Sequence, residues 1–182
     1  NIFSNEDDAW GLSSTARAFA GGMVRRAGSL TALSCPSVIS YKRLYLDQGS
    51  TVIAGLSPDT RSGMLATSVT GNGVALEYWI PDATSNPYLV LALVLKSGME
   101  GIADGLDPGI LTLTALPGDG RQQSQESLPR HLGAAVDVLR ADTWSQTALG
   151  DLIHRLYIQK KEREWNDFLA EVHEWELERY LI

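Results

Sequence analysis

Apolar positions after Ser13 and Ser14 recur at helical spacing: Ala16, Phe19, Ala20, Met23, Val24 and Ala27. A hydroxyl ahead of such a run accepts hydrogen bonds from the first unpaired N–H groups, so Ser13 or Ser14 is the expected N-cap of a helix over 14–26. Gly21 and Gly22 inside it each cost about 1 kcal/mol relative to Ala, which points to close packing against another backbone. Cys35 and Pro36 then read as part of a loop. Residues 50–56 and 63–69 are rich in β-branched and small side chains and are separated by the turn-forming Ser57-Pro58-Asp59. Gly71-Asn72-Gly73 is a second turn signal and leads into a third strand over 74–80. Together the three segments predict an antiparallel β-meander.

Pro81 and Asp82 stop the third strand, and Ser85-Asn86-Pro87 opens a helix with Asn86 as N-cap and Pro87 at the first helical position. Its body, 88–99, is apolar nearly all round and predicts a buried central helix. Residues 105–130 concentrate Gly, Pro, Gln and Ser and read as a surface loop. From Leu132 onward the pattern is helical in three runs: Leu132 to Leu139, Leu149 to Leu156, and Trp165 to Trp175. The expected class is α+β, an antiparallel meander packed with helices and followed by a helical C-terminal third.

Composition narrows the functional classes. The chain has 182 residues, 44% hydrophobic and 20% charged, enough for one core. Fifteen Lys and Arg face 22 Asp and Glu, and a net charge of −7 argues against a nucleic-acid or anionic-membrane partner. The acidic excess sits mainly in the C-terminal part, since the first hundred residues hold seven basic against eight acidic side chains. The longest strongly apolar run, Tyr88 to Leu95, is far below the roughly 18 residues of a membrane span. No basic-then-apolar leader opens the sequence, and the lone Cys35 has neither a disulfide partner nor a CxxC motif. A cytoplasmic location is expected. Asn1 in place of Met, followed by the acidic Glu6, Asp7 and Asp8, suggests a fragment.

The familiar catalytic signatures are absent: no GxGxxG after a strand, no GxxxxGK[ST], no HExxH and no GxSxG. His131, His154 and His173 lack a second histidine at ligand spacing and read as surface or capping residues. Three charges stand out. Arg43 lies just before the meander, Arg61 on the turn between two strands, and Glu77 inside an otherwise apolar strand. Glu77 could point to the wet face of a half-exposed sheet, and a lone arginine on a turn is usually solvated. The same three residues clustered at strand ends could instead bind an anionic substrate and a divalent ion. Composition leaves both open.

The order of segments carries a resemblance. Gly11-Leu12-Ser13, Ala20-Gly21-Gly22-Met23, Leu30-Thr31-Ala32-Leu33, Ser40-Tyr41-Lys42-Arg43-Leu44, Thr60-Arg61-Ser62, Glu77 and Pro81-Asp82-Ala83-Thr84-Ser85-Asn86-Pro87-Tyr88-Leu89 follow one another as in the C-terminal half of the glutamine synthetase family. The closing Trp175-Glu176-Leu177-Glu178-Arg179-Tyr180-Leu181 is similar to how many members end. The resemblance covers essentially all of 1–182, as part of a catalytic domain whose N-terminal β-grasp domain and first half of the site are absent. It implies an ATP-dependent ligase that activates glutamate as γ-glutamyl phosphate and amidates it with ammonia or another amine, using Mg²⁺ or Mn²⁺, in a homo-oligomeric ring. By resemblance Arg43 holds the substrate carboxylate. Arg61 meets the nucleotide phosphates or the transferring phosphoryl group, serving both catalysis and cofactor binding, and Glu77 is a metal ligand. Fixed cations suit that chemistry because phosphoryl transfer spreads negative charge over oxygens.

Departures from the family pattern matter as much. The position of the flap acid that helps deprotonate ammonium falls on Gly49, and further family arginines fall on Ala66, Ala75 and Trp79. The histidine that often ends the first helix is Arg26, and the family's Asn residues near Cys35 and Ile39 are missing. Losing one preorganised charge contact costs roughly 3–4 kcal/mol of transition-state stabilisation. Two readings therefore stand: a divergent ligase, in which the isolated 182 residues are inactive, or a relative that has lost catalysis and serves a structural or regulatory role. Either predicts that these residues alone expose apolar surface that the missing half and neighbouring subunits would cover.

Overall fold

A computed structural model describes residues 1–46, 53–57, 63–109 and 128–181. In chain order the elements are α1 (Ser14–Arg25), α2 (Ala27–Ser34), α3 (Val38–Leu46), β1 (Ile53–Leu56), β2 (Gly63–Thr70), β3 (Gly73–Tyr78), α4 (Pro87–Asp104), α5 (Leu132–Ala141), α6 (Thr143–Leu149), α7 (Asp151–Ala170) and α8 (Glu174–Tyr180). The class is α+β, as expected. Local chemistry places most of the helix starts. The Ser13 hydroxyl accepts from the Ala16 N–H at 3.1 Å, and the Asn86 side chain accepts from Tyr88 and Leu89 with Pro87 in the first turn. His131 Nδ1 accepts from the Ala134 N–H at 3.0 Å, Asp142 caps α6, and His173 forms a capping box with Glu176. The left-handed Gly105 closes α4.

Helices α1 and α4 meet backbone against backbone. A Cβ on Gly22 would lie 2.8 Å from the Gly101 Cα, and one on Gly101 would strike the Ala18 carbonyl. The glycine expected to approach another backbone does so where α1 crosses α4; Gly21 beside it packs against Leu106. Gly98 makes room for the Phe19 ring in the same crossing. Around this pair the core gathers Met23, Leu30, Leu33, Leu56, Met64, Leu65, Leu93, Leu132 and Leu139, all nearly inaccessible. On the far side, the Tyr157 hydroxyl donates to the Ala32 carbonyl at 2.7 Å and ties α7 to α2.

The sheet has the order β1-β2-β3. β2 and β3 form the expected hairpin, with Leu65 opposite Tyr78, Ala66 opposite Glu77 and Ser68 opposite Ala75. β1 runs parallel to β2, pairing Ile53 with Gly63 and Leu56 with Leu65, so the fully antiparallel meander is corrected at this edge. A tight Asn-Gly turn encodes a reversal, as between β2 and β3, whereas the longer connection opened by Ser57-Pro58-Asp59 leaves the direction of the next strand open. The pairing here rests on a close approach, since a Cβ on Gly63 would lie 2.6 Å from the Gly55 carbonyl oxygen.

Four further expectations are corrected. Helices α2 and α3 occupy most of the stretch read as a loop around Cys35 and Pro36. Helix α4 is not buried all round: Tyr88, Leu91, Leu95 and Met99 are 57–83% exposed along one face, while Val90, Leu93, Ser97, Gly98 and Gly101 face inward. The C-terminal half of that inner face is made of small residues, because only small residues let two backbones touch. The end of the supposed surface loop is buried at Leu128, whose carbonyl accepts from the Tyr45 hydroxyl at 3.0 Å; residues 110–127 of that loop lie outside the described residues. His154 is neither a surface nor a capping residue, since it is buried with Nε2 2.9 Å from the Leu139 carbonyl oxygen and 3.3 Å from Ser145 Oγ. Among the described residues no helix is long and apolar enough to cross a membrane.

Two stability predictions follow from this packing. Gly101→Ala should lower the unfolding free energy by about 2 kcal/mol or more in chemical denaturation, because overpacking at a backbone contact outweighs the gain in helix propensity. Gly71→Ala, with nothing within 4 Å of the new methyl, should leave it unchanged. At the N-terminus, the Arg17 guanidinium 2.7 Å from Asp8 and the N–H groups of Trp10 and Leu12 hold the Asp8 carboxyl below its usual range. A carboxyl whose pKa is lowered on folding contributes stability that is present above its unfolded value and lost as pH falls through the folded one. Asp8→Asn should therefore flatten the acid side of the stability profile below about pH 4, read from melting temperatures across pH.

Candidate functional site

Helix α3 begins at a reciprocal pair of serines. The Ser40 N–H donates to Ser37 Oγ at 3.3 Å and the Ser37 N–H to Ser40 Oγ at 3.2 Å. The helix then turns Tyr41 and Leu44 into the core and leaves Lys42 and Arg43 outward, with Lys42 5.8 Å from the Phe168 ring of α7. Arg43 reaches back across the corner between α2 and α3. Its Nη2 donates to the Ile80 carbonyl, two residues past the end of β3, and lies 4.0 Å from the Cys35 sulfur. The buried Cys35 thiol donates to the same carbonyl at 3.3 Å. Burial pushes that thiol up to about 12, against the opposing charge of Arg43, so it stays a neutral donor. The other guanidinium nitrogens of Arg43 have no hydrogen-bond partner among the described residues.

The chain leaving β3 is fastened to the same corner. The Asp82 N–H donates to the Ser34 carbonyl at 3.2 Å, and the Ser34 hydroxyl meets the Tyr78 hydroxyl at 3.0 Å. The Asp82 carboxylate accepts from the Thr84 N–H at 2.8 Å and from its hydroxyl at 2.6 Å. Burial alone would raise the Asp82 carboxyl, but hydrogen bonding from Ser40 and Thr84 and the charge of Arg43 outweigh it and hold the group below the usual carboxylate range. Pro81-Asp82 was legible in the sequence only as a strand stop. Its second role depends on which helix corner the strand exit meets, and no local pattern contains that.

Glu77 is half-buried on β3, directly opposite Ala66. Strand alternation puts Ala75 and Trp79 on the same face, with Ser68 across from Ala75. The positions where the family resemblance expects arginines thus surround Glu77, and no cation pairs with it among the described residues. Glu77 and the Arg43 anchor at Ile80 are three residues apart on one chain, about 10 Å at the rise of a strand. The structure therefore brings Arg43 and Glu77 to one strand and its exit. Arg61 and Gly49 lie outside the described residues.

A single half-buried carboxylate without a cation suits one hard-oxygen position on a divalent metal. Among the described residues no group of three or more His, Cys, Asp or Glu is placed to hold a metal ion, so the rest of any such shell would come from elsewhere.

Comparison with known proteins agrees with this architecture. The family described as glutamine synthetase, catalytic domain, matches residues 1–180. The chain is 36% identical to the glutamine synthetase of Methanosarcina mazei over its whole length, covering 42% of that protein, and 34% identical to that of Thermotoga maritima, again covering 42%. Two solved structures, one described as apo GmaS without ligand and one as a GmaS/ADP complex, superpose with TM-scores of 0.81 and 0.82 at 34% identity. Each match takes in all of this chain and 41% or 42% of the other. Spanning a little over two fifths of the curated relatives it matches, the chain belongs to the glutamine synthetase catalytic-domain family.

Proposed function

We propose that the whole protein is an ATP-dependent carboxylate–amine ligase that activates glutamate as γ-glutamyl phosphate and passes the acyl group to ammonia or another amine. The observation that carries this reading is the state of Arg43. One nitrogen is fixed on the Ile80 carbonyl, and the others have no partner among the described residues. A guanidinium held at one corner keeps its orientation and offers donors in the fork that a carboxylate accepts. Arg43 would hold and orient the substrate carboxylate. Arg61 would meet the nucleotide phosphates or the transferring phosphoryl group. Glu77 would supply one oxygen ligand to Mg²⁺ or Mn²⁺, and such an ion neutralises phosphate charge when bound. The remaining metal ligands and the other half of the site would come from the part of the domain that precedes this segment in its relatives, in a homo-oligomeric ring located in the cytoplasm.

A second reading has its own observation. Glu77 faces Ala66 and sits between Ala75 and Trp79, so among the described residues the sheet around it offers none of the cations that would steady a transferring phosphoryl group. In that reading the protein is a catalytically inactive structural or regulatory relative.

ADP release by the full-length protein with Mg²⁺ or Mn²⁺, glutamate and a panel of amines separates the two. For the ligase, Arg43→Ala should raise KM for glutamate by about 10- to 100-fold, the worth of a hydrogen bond to a charged group. Glu77→Gln should raise the metal concentration at half-maximal rate by about tenfold or more. No turnover with any amine would favour the inactive relative.

A further inference from the structure

Helix α4 carries two apolar faces, and the described residues use one of them. Its inner face meets α1 where Gly101 lies against Gly22, and takes the Phe19 ring at Gly98. The outer face presents Tyr88, Leu91, Leu95 and Met99, all exposed, at spacings of three and four residues over about 16 Å of helix. No charge breaks that stripe. Lys96, the one charged side chain between Tyr88 and Met99, is paired at 2.9 Å with Glu100, which also accepts from the Trp144 indole of α6. Single apolar side chains on a surface are ordinary, but four in one uncharged row mark a surface that another segment covers. A helix apolar all round belongs between two layers. Helix α1 supplies the inner layer, and among the described residues nothing supplies the outer one.

Two observations favour another part of the same polypeptide over a second copy as that outer layer. The chain spans a little over two fifths of its relatives, and solved relatives superpose on all of it, so more than half of one such chain remains to be packed against these residues. The N-terminal segment already reaches α4: the Phe3 ring lies 5.4 Å from the Phe19 ring, which fills the notch at Gly98, and Ile2 next to it is exposed. Area argues the same way. A stripe about 16 Å long and about 10 Å wide covers roughly 160 Å² in projection, well short of the roughly 800 Å² per partner of a stable interface between separate chains. A covalently connected segment meets no such threshold, because its effective concentration is set by the linkage.

We propose that the outer face of α4 is the docking surface for the part of this protein's own catalytic domain that precedes Asn1, which makes α4 the central helix between that part and α1. The inference rests on the reading above only in placing the rest of the domain before this segment, and it holds for a ligase and for an inactive relative alike. Because α4 is locked to α1 at Gly22 and Gly101, and α1 leads to the corner that carries Arg43, a part docked on α4 is held in register with Arg43.

In the full-length protein, p-benzoylphenylalanine in place of Tyr88 or of Leu95 tests the contact directly. Irradiation should give adducts of one-chain mass on a denaturing gel, mapped by mass spectrometry to residues preceding Asn1. Leu95→Asp, which puts a charge into the contact, should lower the melting temperature by about 5 °C or more at every protein concentration, while the volume-conserving Leu95→Met leaves it unchanged. Adducts of two-chain mass place a second copy on the stripe, adducts on residues 110–127 place a segment of this chain there, and either result overturns the proposal. An unchanged melting temperature for Leu95→Asp with no adduct from either position overturns it too, since that is the behaviour of a stripe open to solvent. Should Leu95→Asp fail to fold, the adducts alone decide, and the ring placed at position 88 replaces another aromatic ring. None of these measurements uses ligase activity, so a failure of the ligase reading leaves this one standing.

Discussion

The backbone contact between α1 and α4 is the constraint on which the remaining architecture depends. At Gly22 and Gly101 no side chain separates the two helices, and a single added methyl on either would meet peptide atoms. Contact at this range fixes both the separation of the helices and their sliding register, since neither can move past the other without striking a carbonyl. The consequences run outward along the chain in both directions. Helix α1 leads directly into α2 and α3, whose corner carries Arg43; α4 is preceded by the Pro81-Asp82 turn and the strand with Glu77. Locking α1 to α4 therefore brings the α2–α3 corner against the exit of β3.

That corner is held by polar contacts that run from the buried Cys35–Ile80 hydrogen bond out to the exposed Asp82–Thr84 turn. The Ile80 carbonyl receives both a thiol and a guanidinium, Ser34 engages both Asp82 and Tyr78, and Asp82 is satisfied by Thr84. The buried Cys35–Ile80 bond lies in low dielectric, where it is worth more than at the surface and costs more to break. In the role proposed for Arg43 such a mount would help, because side-chain freedom lost before binding is not lost again on binding. The opposite condition holds at Glu77. Its neighbours Ala66, Ala75 and Trp79 bring it no cation among the described residues, and any metal it binds would take its other ligands from outside them.

Much of the molecule was readable locally. Helix starts at Ser13 and Asn86 follow from side-chain oxygens that serve free N–H groups, and the β2–β3 hairpin follows from Gly71-Asn72-Gly73. Where the sequence misled, a nonlocal contact had overridden a local average. The glycines and serine of α4 weaken its hydrophobic pattern yet form its buried side, and the richly apolar Tyr88, Leu91, Leu95 and Met99 lie outside. β1 precedes a turn signal but pairs parallel with β2, with Gly63 so close to the Gly55 carbonyl that no side chain would fit, an approach that turn chemistry does not encode. His154 has no neighbour at ligand spacing and is nonetheless buried, satisfied by a carbonyl fifteen residues away.

The candidate site divides along the same line. Residue types and their order were enough to single out Arg43, Arg61 and Glu77 and to identify the family, because chemistry that handles carboxylates and phosphates needs guanidinium and carboxylate groups at fixed places in the chain. What Arg43 touches was not contained in that order. Its anchor at Ile80 and the thiol beside it come from positions 37 and 8 residues away, joined only when helices and strand close on one another. Sequence specifies which groups are available and how each short segment folds; their distances and partners are decided by packing, which depends on every segment at once.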